Sequence, residues 1–260
     1  MNRLLACAGI WVLVSACAAH LPPRPSGEAT ADAAGADVFL TATRGCRGVK
    51  SLTAELSLSG RAAGERLRGR VVTGLATGGS ARLEGLAPFG PPMFILAGRG
   101  EKATLLLPRE HRVLAETGVA EVLERLTGLA LGADDLRLIV SSCLTDEPRP
   151  SNGRRWGGGW RTVTVAAGRV AYLRDRQGIP AVVAADYGVW RVDYSDHAGG
   201  WPRTVRVRGG DGSDVDVTAR VAQLELNVPI ADRAFVLEVP GDARSMTLDE
   251  LRSVAPLSPK

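Results

Sequence analysis

From Leu52 onward, apolar and polar residues alternate along the chain with a period of two, the pattern of strands with one covered face. Leu52, Ala54, Leu56 and Leu58 alternate with Thr, Glu and Ser; Leu67, Gly69, Val71, Thr73 and Leu75 alternate with Arg66, Arg68 and Arg70. The same rhythm predicts strands near Ala81–Leu86, Pro92–Gly98, Ala103–Leu107 and Arg112–Ala115. After an interruption it resumes near Trp160–Ala166, Arg169–Arg174, Ile179–Tyr187, Val189–Tyr194, Arg203–Arg208, Val215–Ala219 and Gln223–Val228. Glycine pairs such as Gly78-Gly79 supply the turns, so antiparallel hairpins are the economical connection.

The interruption has a different period. Val119, Val122, Leu123, Leu126 and Leu129 recur every three or four residues, as on one face of a helix. Gly128 and Gly132 offer stops, and Asp134-Asp135 opens a second segment through Leu136, Ile139, Val140 and Leu144. Pro148 to Trp160 reads as a loop, with Arg154, Arg155, Trp156 and Trp160 either solvated or resting on anionic head groups. It is not read as a domain boundary, because neither half holds enough helix to cover its own sheet. The expected fold is mainly β (α+β): one continuous antiparallel sheet that covers itself by curling, with the two helices laid across the opening. Thr247-Leu248-Asp249-Glu250 fits a capping box opening a terminal helix.

The N-terminus follows neither pattern. Arg3 precedes the apolar run Leu4–Val14, too short for a hydrocarbon core that needs about 20 helical residues but suited to a signal peptide. Ser15-Ala16-Cys17 resembles a bacterial lipobox, which implies cleavage before Cys17 and lipidation of its thiol; a secretory peptide cut near Ala16 or Ala19 is the alternative. Residues 1–16 are thus expected to be a lipoprotein signal peptide, 17–36 a lipid-anchored tether rich in Pro, Ala and Gly, and 37–260 the folded domain. Ala18, in place of an Asp, favours the outer membrane by analogy. With Cys7 removed, Cys46 and Cys143 remain, as one disulfide in an oxidising compartment or as two buried thiols.

Composition narrows the function classes. Hydrophobic residues at 45% and charged ones at 23% describe a globular chain. A net charge of +4 is too mild and dispersed for a nucleic-acid partner. Three His and four Cys leave little for a metal site, and no cofactor motif is present. Ser195-Asp196-His197 is contiguous, so its side chains alternate in direction and cannot converge as a triad; no catalysis is expected.

Several stretches, in order, resemble the LolA/LolB superfamily of periplasmic lipoprotein carriers and receptors. Arg82-Leu83-Glu84-Gly85-Leu86-Ala87-Pro88-Phe89-Gly90 is similar to the LolB stretch ending in an apolar loop. Leu123-Glu124-Arg125-Leu126-Thr127-Gly128-Leu129-Ala130-Leu131 is similar to its helix and Leu-Thr-Gly turn. Tyr194, Pro202-Arg203-Thr204-Val205 and Leu226-Asn227-Val228-Pro229-Ile230 through Phe235 are similar to its closing strands. The second helix departs from the family, with Ser141-Ser142-Cys143 in place of a Trp and a Gly-x-Pro exit, and the loop apex carries Phe89 in place of Leu. The resemblance implies a single antiparallel incomplete β-barrel of about 11 strands with a short helical lid, whose partners are acyl chains of lipoproteins or lipids, a membrane reached through the N-terminal lipid, and a soluble periplasmic carrier.

Such a barrel leaves an inner apolar face. The candidate lining residues are Leu56, Leu58, Val71, Leu83, Phe94, Leu96, Leu105, Leu126, Leu138, Tyr172, Trp190, Tyr194 and Val205, unless these form an ordinary packed core. Strand parity is open for Phe94/Leu96 against Met93/Ile95. Pro88, Phe89, Gly90, Pro91, Pro92 and Met93 form the candidate transfer loop, in which prolines hold Phe89 outward toward acyl chains or a membrane; the alternative folds Phe89 onto the sheet edge. Two functions follow: a membrane-anchored receptor that binds acyl chains and passes them to the outer membrane, or a structural lipoprotein that recruits an envelope protein.

Overall fold

Hairpin follows hairpin along most of the chain. The computed structural model describes residues 23–62, 64–210 and 212–254. The signal peptide, Cys17 and the first part of the tether lie outside the described residues.

β1 (Thr30–Ala31) and α1 (Gly35–Ala42) precede β2 (Ser51–Ala62), β3 (Glu65–Ala76), β4 (Ser80–Leu86), β5 (Phe94–Arg99), β6 (Lys102–Leu107) and β7 (Arg112–Thr117). Two helices follow, α2 (Val119–Thr127) and α3 (Ala133–Val140). The second run of strands is β8 (Ser151–Arg155), β9 (Arg161–Ala166), β10 (Arg169–Arg176), β11 (Ile179–Tyr187), β12 (Trp190–Ser195), β13 (Thr204–Arg208) and β14 (Asp216–Leu226). β15 (Arg244–Ser245) and α4 (Leu248–Val254) complete the described chain.

All strands join one sheet, ordered β1-β8-β9-β10-β11-β12-β13-β14-β2-β3-β4-β5-β6-β7-β15. Neighbours are antiparallel except β15 on β7. A long seam joins the two runs: β14 pairs with β2 from Asp216↔Arg61 to Leu226↔Leu52. The end strands β1 and β15 do not meet, so the barrel is open. The concave face carries Leu52, Ala54, Leu56, Val71, Thr73, Leu75, Leu83, Phe94 and Leu96, all buried, while Arg66, Arg68 and Arg70 point to solvent. Phe94 and Leu96 are the buried set on β5, with Ile95 half-buried, which settles the parity there.

Three sequence expectations change. The sheet has 15 strands rather than about 11. The additions include β1 and β15 at the two edges and β8 beside β1, short strands of mostly polar residues that leave no alternation to read. The stretch Pro148–Trp160 is not a free loop. β8 within it pairs with β9, the Trp156 indole N–H donates to Thr162 Oγ1 at 3.0 Å, Trp160 is buried, and the Arg174 guanidinium lies 5.1 Å from the Trp160 ring centroid.

The tether is the third. Part of the segment assigned to 17–36 is laid on the domain. Arg24 pairs with Asp186 on β11, lies 4.8 Å over the Tyr172 ring and donates to the Ala185 carbonyl at 2.9 Å. The Asp32 carboxylate is almost wholly buried between Arg155 and Arg161, and β1 pairs with β8. The chains approach so closely there that a Cβ at Gly153 would sit 2.4 Å from the Asp32 carbonyl oxygen.

Cys46, in the 3-10 turn after α1, is disulfide-bonded to Cys143, in the turn after α3, with Cα atoms 5.5 Å apart. Thr247 and Glu250 exchange the hydrogen bonds of a capping box at the start of α4.

Candidate functional site

Between the concave face and the helices lies an apolar cavity of about 100 Å3. The sheet contributes Leu56, Leu58, Val71, Thr73, Leu75, Leu83, Phe94, Val205, Val207, Val217 and Ala219. The roof contributes Leu123, Leu126 and Thr127 from α2, Leu129 and Leu131 from the connection, and Leu136, Ile139 and Val140 from α3. No ionisable side chain lines it. Gly85 makes room for one wall, because a Cβ there would lie 2.4 Å from the Phe94 ring. The Thr127 hydroxyl donates to the Leu123 carbonyl at 2.7 Å, whereas Thr73 Oγ1, on a residue 2% exposed, has no hydrogen-bond partner.

Two adjacent acids fasten the roof to opposite halves of the sheet. Asp134 accepts from the Gly79 amide at 2.9 Å, in the turn between β3 and β4. Asp135 caps α3 by accepting from the Gly132 amide at 3.1 Å, and its other oxygen accepts from the Tyr187 hydroxyl of β11 at 2.6 Å. Arg169 from β10 reaches the same carboxylate at 3.4 Å, donates to the Leu144 carbonyl at 2.9 Å and stacks 4.1 Å over the Tyr187 ring. Burial, followed by the hydrogen bond to Asp135, raises the Tyr187 pKa far above that of a free phenol. Arg137, 1% exposed, pairs with Asp134 at 3.1 Å and Asp146 at 2.7 Å and donates to the Val49 carbonyl at 3.1 Å.

The β4–β5 connection stands at one side of the cavity wall. Phe89 is 88% exposed at its apex, with Pro88, Gly90 and Pro91 also exposed and Pro92 and Met93 half-buried. Arg109 holds the loop by donating to the carbonyls of Phe89 and Pro91, and the Met93 amide donates to the Gly85 carbonyl at 2.8 Å.

No family model matches the sequence, and no curated protein matches it. Solved structures are similar to it. A LolA superfamily protein from Nitrosomonas europaea is 11% identical, with 78% of this chain and 98% of that chain covered and a TM-score of 0.47. A DUF1329 family protein from Desulfovibrio piger is 15% identical, covering 78% and 96%, with a TM-score of 0.47. The lipoprotein LppX from Mycobacterium tuberculosis is 10% identical, covering 76% and 96%, with a TM-score of 0.33.

Seven of the expected lining residues meet at the cavity: Leu56, Leu58, Val71, Leu83, Phe94, Leu126 and Val205. Six do not. Leu96 and Leu105 face each other across β5 and β6, wholly buried in the core beside the cavity. Leu138 is buried on another side of α3, its carbonyl accepting from the amides of Cys143 and Leu144. The Tyr172 hydroxyl donates to Asp186 at 2.7 Å beneath Arg24, on the face of β10 opposite the buried Ala171 and Leu173. Trp190 is half-buried at the edge of the core, and Tyr194 is packed within it. For Leu96, Leu105, Trp190 and Tyr194 an inward parity does not specify which inward residue the helices cover; Tyr172 is on the outward face of β10, where the expected parity is wrong, and Leu138 is on a helix, where period two does not apply.

Sequence reasoning missed the roof residues of α3 and the acids that fasten it. The apolar spacing of Leu136, Ile139 and Val140 showed a helix without showing that it covers the cavity, and the Asp134-Asp135 pair is explained equally well by a helix start. His197 donates from Nε2 to the Val182 carbonyl and accepts at Nδ1 from Arg176, both at 3.1 Å; burial and then Arg176 lower its pKa. Among the described residues, no three His, Cys, Asp or Glu side chains gather as a metal site.

Proposed function

We propose that this protein is a lipid-anchored envelope carrier that takes acyl chains of lipoproteins or lipids into the cavity under α2 and α3 and passes them to the outer membrane. The observation that carries the reading is the cavity lining: aliphatic side chains from both halves of the sheet and from a helical roof, without a charge among them. Each methylene that leaves water for such a lining gains about 0.8 kcal/mol, so retention needs no specific polar contact. Release needs only a competing apolar phase of similar depth, so hand-over to a bilayer consumes no nucleotide.

At about 100 Å3 the cavity is below the ~300–1,000 Å3 of a ligand pocket. Loading therefore requires α3 to move, and its attachments to the sheet are the contacts that must open. Lipidation at Cys17 would anchor the domain on a short leash, because at most about 25 Å of extended chain separates Cys17 from the docked Arg24. The exposed Phe89, presented by a loop that Arg109 braces, then serves as the contact with the receiving membrane or with a delivering carrier.

Native mass spectrometry of the mature protein, released from mild micelles, tests the reading. Co-purifying acyl species that disappear in Leu83→Asp are the expected result. An empty protein that takes up no added acyl probe removes the carrier reading. The small cavity volume then favours the second reading, a structural lipoprotein whose own side chains fill the barrel and which recruits an envelope protein.

A further inference from the structure

Thr73 sits at the middle of β3, opposite Ala54 on β2 and Leu83 on β4, with Val71 and Leu75 flanking it on the same face. It lines the cavity, is 2% exposed, and its hydroxyl is unpartnered. A buried hydroxyl without a partner is destabilising, and valine would fill the same space without that penalty. Water is a poor remedy. A stable buried water needs about two to four polar partners, and the other cavity-lining hydroxyl, on Thr127, already donates to the Leu123 carbonyl and accepts from the Leu129 amide.

We infer that the occupant of the cavity brings an uncharged hydrogen-bond acceptor, the carbonyl of an acyl ester, to the Thr73 hydroxyl. The inference rests on the carrier reading and names the chemical class of its cargo. Apolar lining residues flank the hydroxyl on both sides along β3, Val71 beside Leu56 on one and Leu75 on the other, so the chain to either side of the carbonyl meets hydrocarbon. A free fatty acid does not fit the same place. Its carboxylate would be buried with no cation in the lining to pair it, which is far costlier than burying a neutral ester. A plain hydrocarbon leaves the hydroxyl unsatisfied. Thr73 thus selects esterified chains over alkanes, and the uncharged lining excludes free acids.

The test uses the full mature protein in micelles with three probes: methyl palmitate, palmitate and octadecane, each competing against a fluorescent acyl reporter. The wild type is expected to favour the ester over the alkane by about tenfold, the value of one satisfied buried hydrogen bond. In Thr73→Val the ester-to-alkane ratio falls to about one, and Thr73→Ser, which keeps the hydroxyl, restores the preference. With carbonyl-labelled methyl palmitate, the bound 13C resonance moves downfield in the wild type and in Thr73→Ser and returns toward its hydrocarbon-solvent position in Thr73→Val. An unchanged ratio and resonance in Thr73→Val, or no ester preference in the wild type, overturns the inference while leaving acyl binding intact. If no probe binds at all, the carrier reading falls first and the ester selectivity with it.

Discussion

All three tyrosines of the chain have their phenols held in the protonated form. Burial is the first cause in each case; Asp186 adds to it at Tyr172 and Asp135 at Tyr187. A folded-state pKa above the unfolded value near 10 gives stability that is complete below pH 10 and is lost as the pH rises. Urea unfolding should therefore show a declining midpoint between pH 9 and 11, with native tyrosinate absorbance at 295 nm lagging behind that of the unfolded chain. Coincident titrations would refute this. Tyr194 adds a sharper case, because its hydroxyl is fully buried and unpartnered. Tyr194→Phe removes an unsatisfied group and is expected to raise stability by about 1 kcal/mol in urea titration. Phe89→Glu, at an 88% exposed position, should leave that midpoint unchanged while slowing transfer of bound acyl probe to vesicles. Equal transfer rates would remove Phe89 from the mechanism.

At the scale of elements, the carrier reading proposed above requires α3 to move, and its hydrogen bonds to Gly79 and Tyr187 are the contacts that would open. Tyr187→Phe deletes the hydrogen bond to Asp135 and keeps the ring under Arg169. The expected cost is about 1–2 kcal/mol, with faster amide exchange across α3 and faster uptake of an acyl probe. If exchange rises but uptake does not, loading proceeds by another route. α2 and α3 were readable in advance because an apolar stripe at helical spacing is a local property. The fastening was not, because Asp135 and Tyr187 lie 52 residues apart and each is explained locally without the other. The same limit hid β1, β8 and β15, whose polar residues pair through backbone groups that any side chain permits.

At the scale of the molecule, the Cys46–Cys143 bridge ties the end of α1, which lies against β8, β9 and β11, to the end of the roof helix α3. It closes a loop of 97 residues, so reduction should lower stability by about 2–4 kcal/mol. Thermal unfolding with and without reductant measures this, and an unchanged midpoint would mean that the roof is held without it. Period-two alternation with one helical interruption was enough to predict a single curled antiparallel sheet, because burial of one face is written into every second residue. Only the structure settled that Phe94 and not Ile95 joins Leu56, Val71 and Leu83 on the concave side. The alternation left undecided which concave residues the helices cover, so Leu96, Leu105 and Tyr194 belong to the core and not to the cavity. That assignment depends on where α3 is fastened, and the fastening consists of contacts between residues far apart in the chain, which only the folded arrangement brings within hydrogen-bonding distance.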